Sequence, residues 1–300
     1  IAELARLQDH LLCVGVAGLD LGGFTAFLYG FNEREHINDL FEEICGARFT
    51  TSFTRVGGLM QDLPDVWPAH VKAFLKRLPP AIDDVDALLT RNRIFVERTR
   101  GVGVMSRDDA IAWGWTGPLA RASGVQRDLR KDEPYLCYAE NWDGQGSSGV
   151  SFKVPVTHGG DVYDRYLVRM EEMRQSMAII EQLVDNIPAG PVDARPDEKL
   201  TLPDKREVYF SIEGLIRHFE KIMTNRGFKP PIGEAYGANE TANGELGFYL
   251  VSDGGNCPYR ARCRPPSFIN YQCFEKLVVG HSISDVVAVL GSLNIIAAEL

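Results

Sequence analysis

Three patterns are missing from this sequence of 300 residues, and each absence narrows what the protein can do. Its six cysteines include no C-x-x-C pair, so we expect free thiols in a reducing compartment rather than a disulfide framework or a cysteine-ligated metal. Its six histidines do not cluster at metal-ligand spacing, and no metal site is predicted. A basic excess is also missing, because the formal net charge is −9, which argues against nucleic-acid binding.

Charged residues are almost missing between residues 11 and 31, where Asp20 is the only one. Its length alone fits a membrane span. Five glycines and the central acid make it a poor lipid-facing helix, so the pattern favours a helix buried in protein. Asp20 would then be a lone carboxylate in apolar surroundings, which needs a partner or a proton. A proton-handling role and a structural role, with hydrogen bonds to the backbone or a histidine, both fit the sequence.

The sequence also contains no internal repeats, and no segment of it separates two hydrophobic cores. Hydrophobic residues at 45% and charged residues at 24% are typical of a folded chain. We therefore predict one mainly helical domain over residues 1–300, with small β-hairpin elements. Apolar spacing predicts helices over 4–21, 37–44, 65–78, 82–98, 106–113, 161–187 and 211–223, with breaks at Pro79-Pro80 and Pro188, and a final helix capped by Ser284 that runs to about Ala298.

Strands and loops occupy the remaining chain. Residues 247–252 and 259–264 read as a hairpin, with Arg260, Arg262 and Arg264 on one face of its second strand. Residues 139–160 are rich in glycine and serine and are expected to form a surface excursion, and residues 190–204 a surface linker.

Two further patterns have an ordinary explanation. Residues 144–149 match G-x-G-x-x-G, but that motif cradles phosphate only between a strand and a helix, and polar residues precede it here. On the helix of 161–187, a stripe with Met170, Met173 and Met177 is more typical of a core than of a cofactor site. We assign neither pattern a catalytic role.

Twelve short blocks, taken together and in order, resemble the D-type subunit of bacterial NADH:quinone oxidoreductase, the large core subunit of respiratory complex I that carries no iron–sulfur cluster. The blocks are LDLG at 19–22, ERE at 33–35, GAR at 46–48, RVGG at 55–58, QDLP at 61–64, DLRK at 128–131, YDRYL at 163–167, EMRQS at 172–176, GELG at 244–247, LVSDG at 250–254, PYR at 258–260 and DVVA at 285–288. One such block would be weak, but twelve in register are specific.

The resemblance implies a mainly α fold like that of the large subunit of nickel–iron hydrogenases, with small β additions. Those hydrogenases hold their metal with two C-x-x-C pairs, and both pairs are missing here. A hydrogenase-related subunit, or a non-catalytic scaffold of a related membrane-bound complex, therefore remains only the alternative to a quinone-site subunit.

The resemblance also implies a site. The family forms a quinone cavity together with a smaller subunit that carries the terminal iron–sulfur cluster, so this chain is expected to hold no cofactor of its own. Asp20 is placed at the carboxylate that pairs with a cavity histidine, with Arg55 and Asp285 in the same region. Thr50 stands where many members have a histidine beside the cluster, which puts redox-linked protonation there in doubt.

The expected surroundings follow from the same resemblance. Partners are the other complex I subunits, among them the cluster-bearing small subunit and a C-type neighbour, with NADH bound at a distant subunit. The complex would place this chain peripherally on the cytoplasmic side of a bacterial inner membrane, or on the matrix side in mitochondria.

Two departures from the family pattern stand out. Residues 240–244 replace a Pro-Lys or Pro-Arg before a glycine, so a positive charge is missing. The histidine and tyrosine that hydrogen-bond the quinone head group would precede Ile1, so we expect an N-terminally truncated chain without a complete head-group site.

Overall fold

The computed structural model of the chain describes residues 1–55, 57–141, 146, 148–192, 202–223, 226–227 and 229–300. Within these ranges the helices are α1 Ala2–Asp20, α2 Phe24–Cys45, α3 Trp67–Leu89, α4 Arg93–Thr99, α5 Arg107–Ala112, α6 Gly117–Ala122, α7 Leu129–Asp132, α8 Val162–Val184, α9 Lys205–Phe210, α10 Ile212–Ile222, α11 Pro266–Tyr271, α12 Phe274–Val278 and α13 Ile283–Leu293. The strands are β1 Thr54–Arg55, β2 Gly58–Leu59, β3 Gly233–Thr241, β4 Gly244–Ser252 and β5 Arg260–Arg264. The predicted class, mainly α with small β elements, is confirmed.

The main core lies where α1, α2, α3 and α8 pack against one another. From α1, Leu4, Leu7, Leu11 and Val14 are buried there at the predicted helical spacing. The predicted stripe of α8 is also confirmed, because Met170 and the residues that share its face lie in the same core. Its methionines therefore fill a core, as expected from their flexible thioether side chains.

The apolar run of residues 11–31 is two helices rather than the single buried helix that we predicted. The chain turns at Gly22, whose φ of +92° favours glycine, and α2 returns along α1. Gly15 and Gly30 allow this close approach: a β-carbon on Gly30 would lie 3.1 Å from the Leu11 carbonyl oxygen. The glycines are therefore contact points between helices.

The predicted break at Pro79-Pro80 is wrong, because α3 continues through both prolines. Their rings lie on the exposed side of the helix, where the carbonyls freed of a partner can bond water. On the opposite side, the apolar stripe runs without interruption, and Leu78 and Ile82 next to the prolines are almost fully buried. Packing of that stripe outweighs the local preference of proline.

The C-terminal helix also differs from the prediction. Ser282, not Ser284, is the N-cap of α13, and it forms a capping box with Asp285. The helix ends at Leu293 because Asn294 adopts a left-handed conformation with φ of 53°. The final helix therefore begins two residues before the predicted start and ends five residues before the predicted end at Ala298.

The antiparallel sheet has the order β3–β4–β5. The hairpin predicted from residues 247–264 is confirmed by the β4–β5 register, in which Arg262 pairs with Tyr249 and Arg264 with Gly247. Strand β3 was missed because its sequence, GEAYGANET, has few of the β-branched and apolar residues that signal a strand.

Both predicted surface segments lie partly outside the described residues. These do not include residues 193–201 of the linker or three of the six residues of the G-x-G-x-x-G stretch. The excursion is not wholly exposed. Phe152 is buried against Tyr138 and Ile179, and the backbone N–H groups of Ser151 and Lys153 donate to glutamine side chains of α8. This part of the excursion is an extended segment held against a helix.

Candidate functional site

A small cavity lies between α1, α4, α8 and α13. Its walls are mostly apolar, and its lining residues are Cys13, Val14, Ala17, Asp20, Leu21, Phe95, Thr99, Val162, Tyr166, Arg169, Val287, Ala288, Gly291 and Ser292. The free volume is about 20 Å³, which holds one or two water molecules. This cavity alone is therefore too small for a quinone ring, and a quinone site beside it would need walls from elsewhere.

Asp20 is the last residue of α1 and lies at the rim of this cavity. Its side chain is exposed in the chain, not buried as the sequence suggested, because α1 ends at this residue. One side of the carboxylate still faces protein, since a β-carbon on Gly291 of α13 would lie 3.5 Å from Oδ2. Partial burial raises the pKa of Asp20 above its usual range. Such a carboxylate takes up a proton more readily than a free one.

Asp285 lies on α13 but does not line the cavity. It holds the N-terminus of its own helix, where Oδ2 accepts hydrogen bonds from the N–H and hydroxyl of Ser282 at 3.1 and 3.0 Å. Arg98 donates to its Oδ1 at 3.1 Å. Although burial would raise the pKa of Asp285, these hydrogen bonds and the Arg98 charge lower it. The structure therefore shows Asp285 as an ionised cap, one to two helical turns from Gly291.

Arg55 and Thr50 lie together on the loop between α2 and α3, where both are exposed. Arg55 ends the short strand β1, which pairs with β2, and its Nε donates to the Ser52 carbonyl at 3.4 Å. Val56, from the same sequence block, lies outside the described residues. None of the described residues of this loop lines the cavity beside Asp20. Within the chain, these two positions are not brought to the cavity rim.

A network of buried charges is the feature that sequence reasoning missed. It crosses the interface of α1, α6, α7, α8 and β3, and its members are Glu3, Arg6, His10, Arg121, Asp128, Arg130, Glu172 and Glu240, each at most 4% exposed. The His10 Nε2 and Glu172 Oε2 atoms are 2.8 Å apart. The other Glu172 oxygen accepts from Arg121 Nε at 2.8 Å.

The remaining bonds extend this network to the start of α1. Arg130 donates to Glu3 at 3.0 Å and to Asp128 at 2.7 Å. Tyr138 and Ser176 also donate to Glu3. Each of these carboxylates thus has at least one guanidinium partner.

The network fixes the protonation states of its members. Burial would raise the pKa of Glu3, but the charges of Arg6 and Arg130 lower it to about 2. Burial likewise opposes ionisation of Glu172, yet Arg121 and His10 hold its pKa well below the usual range. For His10, burial dominates and lowers the pKa in spite of Glu172. Glu3 and Glu172 therefore favour the ionised form, and His10 resists protonation.

Two signals in the sequence could have revealed this network. Glu3, Arg6 and His10 recur at spacings of three and four residues, which places them on one face of α1. Glu240 belongs to the segment that departs from the family pattern, and in the structure it accepts from Arg121 Nη1 at 2.8 Å. Glu240, which departs from the family pattern, thus adds a carboxylate to the network.

The thiols and acidic side chains do not form a metal centre in the part of the chain that the structure describes. There, no three His, Cys, Asp or Glu side chains are arranged to hold a metal ion. All six cysteines are free thiols, as predicted. None of the described helices has both the length and the apolar character that a bilayer crossing requires.

The class of protein is given by comparison with known families. Residues 20–300 match the model of the family described as the respiratory-chain NADH dehydrogenase 49 kDa subunit. The chain therefore belongs to this family, which confirms the resemblance carried by the twelve blocks.

Individual relatives carry the more particular name of D-type subunit of NADH-quinone oxidoreductase. The chain is 49% identical over 300 residues to that subunit from Leptospira biflexa, and the match covers all of this chain and 71% of that protein. It is 48% identical over 300 residues to the one from Geotalea uraniireducens, of which it covers 74%. The C/D-type subunit of the NADH-quinone oxidoreductase of Bdellovibrio bacteriovorus is 48% identical over 300 residues, and the chain spans 51% of its length.

Proposed function

We propose that this chain is the quinone-site subunit of a proton-translocating NADH:quinone oxidoreductase. The family and the D-type relatives support the complex. The observation that carries the site is Asp20, a carboxylate of raised pKa at the end of α1, beside Gly291 of α13. In this proposal the Asp20 rim is one wall of the quinone cavity, and the other walls come from the rest of the assembly.

The chemistry divides between this chain and its neighbours. A quinone becomes a quinol by taking up two electrons and two protons. The electrons come one at a time from the terminal iron–sulfur cluster of the smaller partner subunit, which receives them from NADH at a distant subunit. This chain supplies no redox group in the proposal. Its task is to control protons and charge beside the ring.

Asp20 has the properties that this task needs. No charged side chain is among the causes of its raised pKa, so it is free to pair with a histidine brought by another part of the assembly. Ionised Asp20 would stabilise the protonated histidine, and would release it as negative charge develops on the quinone and draws the proton away. The loss of the positive charge beside Asp20 is then passed on toward the membrane arm.

Arg55, Thr50 and Asp285 have subsidiary roles in the proposal. Arg55 and Thr50, on one exposed loop, would face the cluster-bearing subunit. Threonine does not titrate at physiological pH, so cluster reduction would not be linked to protonation at position 50. Asp285 would act indirectly, by holding α13, and with it Gly291, in place against Asp20.

The surface of the chain supports a place inside an assembly. On α10 the apolar side chains Ile212, Leu215, Ile216, Phe219 and Ile222 are all about half exposed or more. Exposed apolar surface of this kind marks interaction sites in soluble proteins. We propose a single domain docked peripherally on the membrane arm, with the small cluster-bearing subunit and a C-type neighbour as partners.

Replacement of Asp20 by asparagine in the full complex tests the proposed function. The amide has nearly the same shape but cannot ionise, so we expect quinone reductase activity and proton pumping to fall at least tenfold. The matched control is Asp84→Asn, since Asp84 is an exposed aspartate on α3 and should keep full activity. Unchanged activity and pumping in the Asp20 variant would refute the role assigned to this residue.

A further inference from the structure

Two buried arginines on α8, one helical turn apart, lack the carboxylate partners that the arginines of the network have. Arg165 and Arg169 are 0% and 1% exposed. Within the described part of the chain, neither guanidinium has a carboxylate within 4 Å. By contrast, Arg121 and Arg130, equally buried, each pair with two or more carboxylates. Burial of a cation without an anion costs several kcal/mol.

Arg165 bonds only to neutral groups, and its buried Nε has no hydrogen-bond partner. Its Nη1 donates to the Ser292 hydroxyl at 2.9 Å, and its Nη2 donates to the Gly160 carbonyl at 3.0 Å. Its guanidinium also lies over the Trp115 ring, 5.2 Å from the centroid. Burial, followed by the charge of Arg169, lowers the pKa of Arg165 to about 10. The two like charges thus repel each other inside the protein.

Arg169 is even less satisfied, and it lines the cavity described above. Its Nη1 donates to the Arg165 carbonyl at 3.3 Å. Its Nε and Nη2 have no hydrogen-bond partner, although both are buried. A charged donor that is buried without a hydrogen-bond partner lowers the stability of the folded state. A residue that lines the cavity therefore has two donors without partners, and the cavity has a free volume of about 20 Å³.

Four carboxylates lie near the two arginines, but among the described residues none is within 4 Å of either guanidinium. Asp161 and Asp164 act on Arg165 from a greater distance, and Asp9 and Asp20 lie on the side of Arg169. Burial raises the pKa of Asp9, which lies near His10 and Arg169, and its Oδ2 accepts from Asn294 at 2.7 Å. Asp20 is at the exposed rim, and its pKa reflects burial rather than the charge of Arg169. The inner end of the cavity thus faces positive charge, and the rim opens it to solvent.

We propose that the inner end of this cavity binds one small monovalent inorganic anion of halide size, held by Nε and Nη2 of Arg169. A water molecule could fill the space and accept hydrogen bonds, but it would offset neither of the two buried charges. A monatomic anion fills the space, accepts the hydrogen bonds and offsets one of the two positive charges. This site stands on Arg165, Arg169 and the cavity alone, and it holds whether or not Asp20 handles protons.

Bromide is the direct probe, because its anomalous X-ray scattering distinguishes it from water. Crystals of the assembled complex that carries this chain are soaked in sodium bromide. We expect an anomalous peak within hydrogen-bonding distance of the Arg169 guanidinium. A site filled by water, without such a peak, would overturn the proposal.

Stability gives a second readout that needs no quinone chemistry. The temperature at which this chain becomes protease-sensitive in the complex is measured in sodium chloride and in sodium gluconate at equal ionic strength. An anion bound to the folded state should raise it by a few degrees for each tenfold increase in chloride. Equal temperatures in the two salts would contradict the site.

Variants tie this effect to the arginine. Arg169→Gln should abolish the difference between chloride and gluconate, whereas Arg93→Gln, at a surface arginine that pairs with Glu97, should retain it. A chloride effect that survives in Arg169→Gln would refute the assignment. If Arg169→Gln does not fold, the bromide peak in the unsubstituted complex decides the question.

Discussion

Several buried residues of this chain keep their charges because they pair with residues that are distant in sequence. Glu172 binds His10, 162 residues away, and Arg121, 51 residues away. Arg130 reaches Glu3 across 127 residues. Each of these side chains alone would be expensive to bury, and only the folded arrangement makes the burial tolerable. The network therefore ties α1 to α6, α7 and α8.

Replacing one member of the network should be severely destabilising. In Glu172→Gln, Arg121 and His10 keep their burial but lose a charged acceptor, so we expect a loss of about 3–5 kcal/mol in the free energy of unfolding. Denaturation by urea measures it. The neighbouring Glu171→Gln is the matched control, because that side chain is 44% exposed and should change stability by less than about 1 kcal/mol. Similar losses in both variants would show that the network contributes little.

The Glu3 carboxylate should make the chain sensitive to acid. Its pKa is about 2 in the folded chain, against an ordinary value of 4.5, so its ion pairs stabilise the fold fully above pH 4.5. That contribution, about 3 kcal/mol, is lost as the pH falls from 4.5 to 2. Unfolding followed over this range should show a smaller decline in Glu3→Gln than in the unsubstituted chain. Identical pH profiles would contradict the assigned ion pairs.

At the scale of elements, α3 shows how packing overrides local preference. Two prolines stand in the middle of a helix of 23 residues, where each removes a backbone hydrogen bond. The buried stripe that includes Val71, Leu78 and Ile82 holds the helix together across them. The prolines are therefore a local weakness, while the stripe supplies the stability of the helix.

Opposite effects are expected from two neighbouring substitutions in α3. Pro80→Ala restores a backbone hydrogen bond on the exposed face and should stabilise the chain by about 1–2 kcal/mol, after allowance for the more flexible unfolded chain. Leu78→Ala removes a fully buried side chain and should destabilise it by about 2–5 kcal/mol. Unfolding midpoints compare the two. A loss of stability in Pro80→Ala would show that proline is preferred at this position.

For the whole molecule, the sequence predicted what depends on periodicity and missed what depends on three-dimensional contacts. The stripe of α8, the starts of α8 and α10 near Asp161 and Ser211, and the β4–β5 hairpin were all predicted. The turn at Gly22 was missed because the apolar run continues through it. The inner end of the cavity was missed too, since Arg169 looks in sequence like one charge of a solvated face.

The candidate site was predictable only to the level of the helix that carries it. The resemblance singled out Asp20, but its exposure depends on where α1 ends, and that is set by the return of α2. The place of Asp285 as a cap follows from a two-residue shift in the start of α13. Neither detail could be derived from apolar spacing, which leaves helix ends uncertain by a few residues.

The most direct test of the account asks whether Asp20 changes its state when quinone is reduced. Infrared difference spectra of the full complex, recorded between the oxidised and the quinol-forming states, report carboxyl and carboxylate stretching. We predict a signal that is present in the unsubstituted complex and in Asp84→Asn but missing in Asp20→Asn. A spectrum of Asp20→Asn that keeps every carboxyl signal would contradict the claim that this residue handles protons at the quinone site.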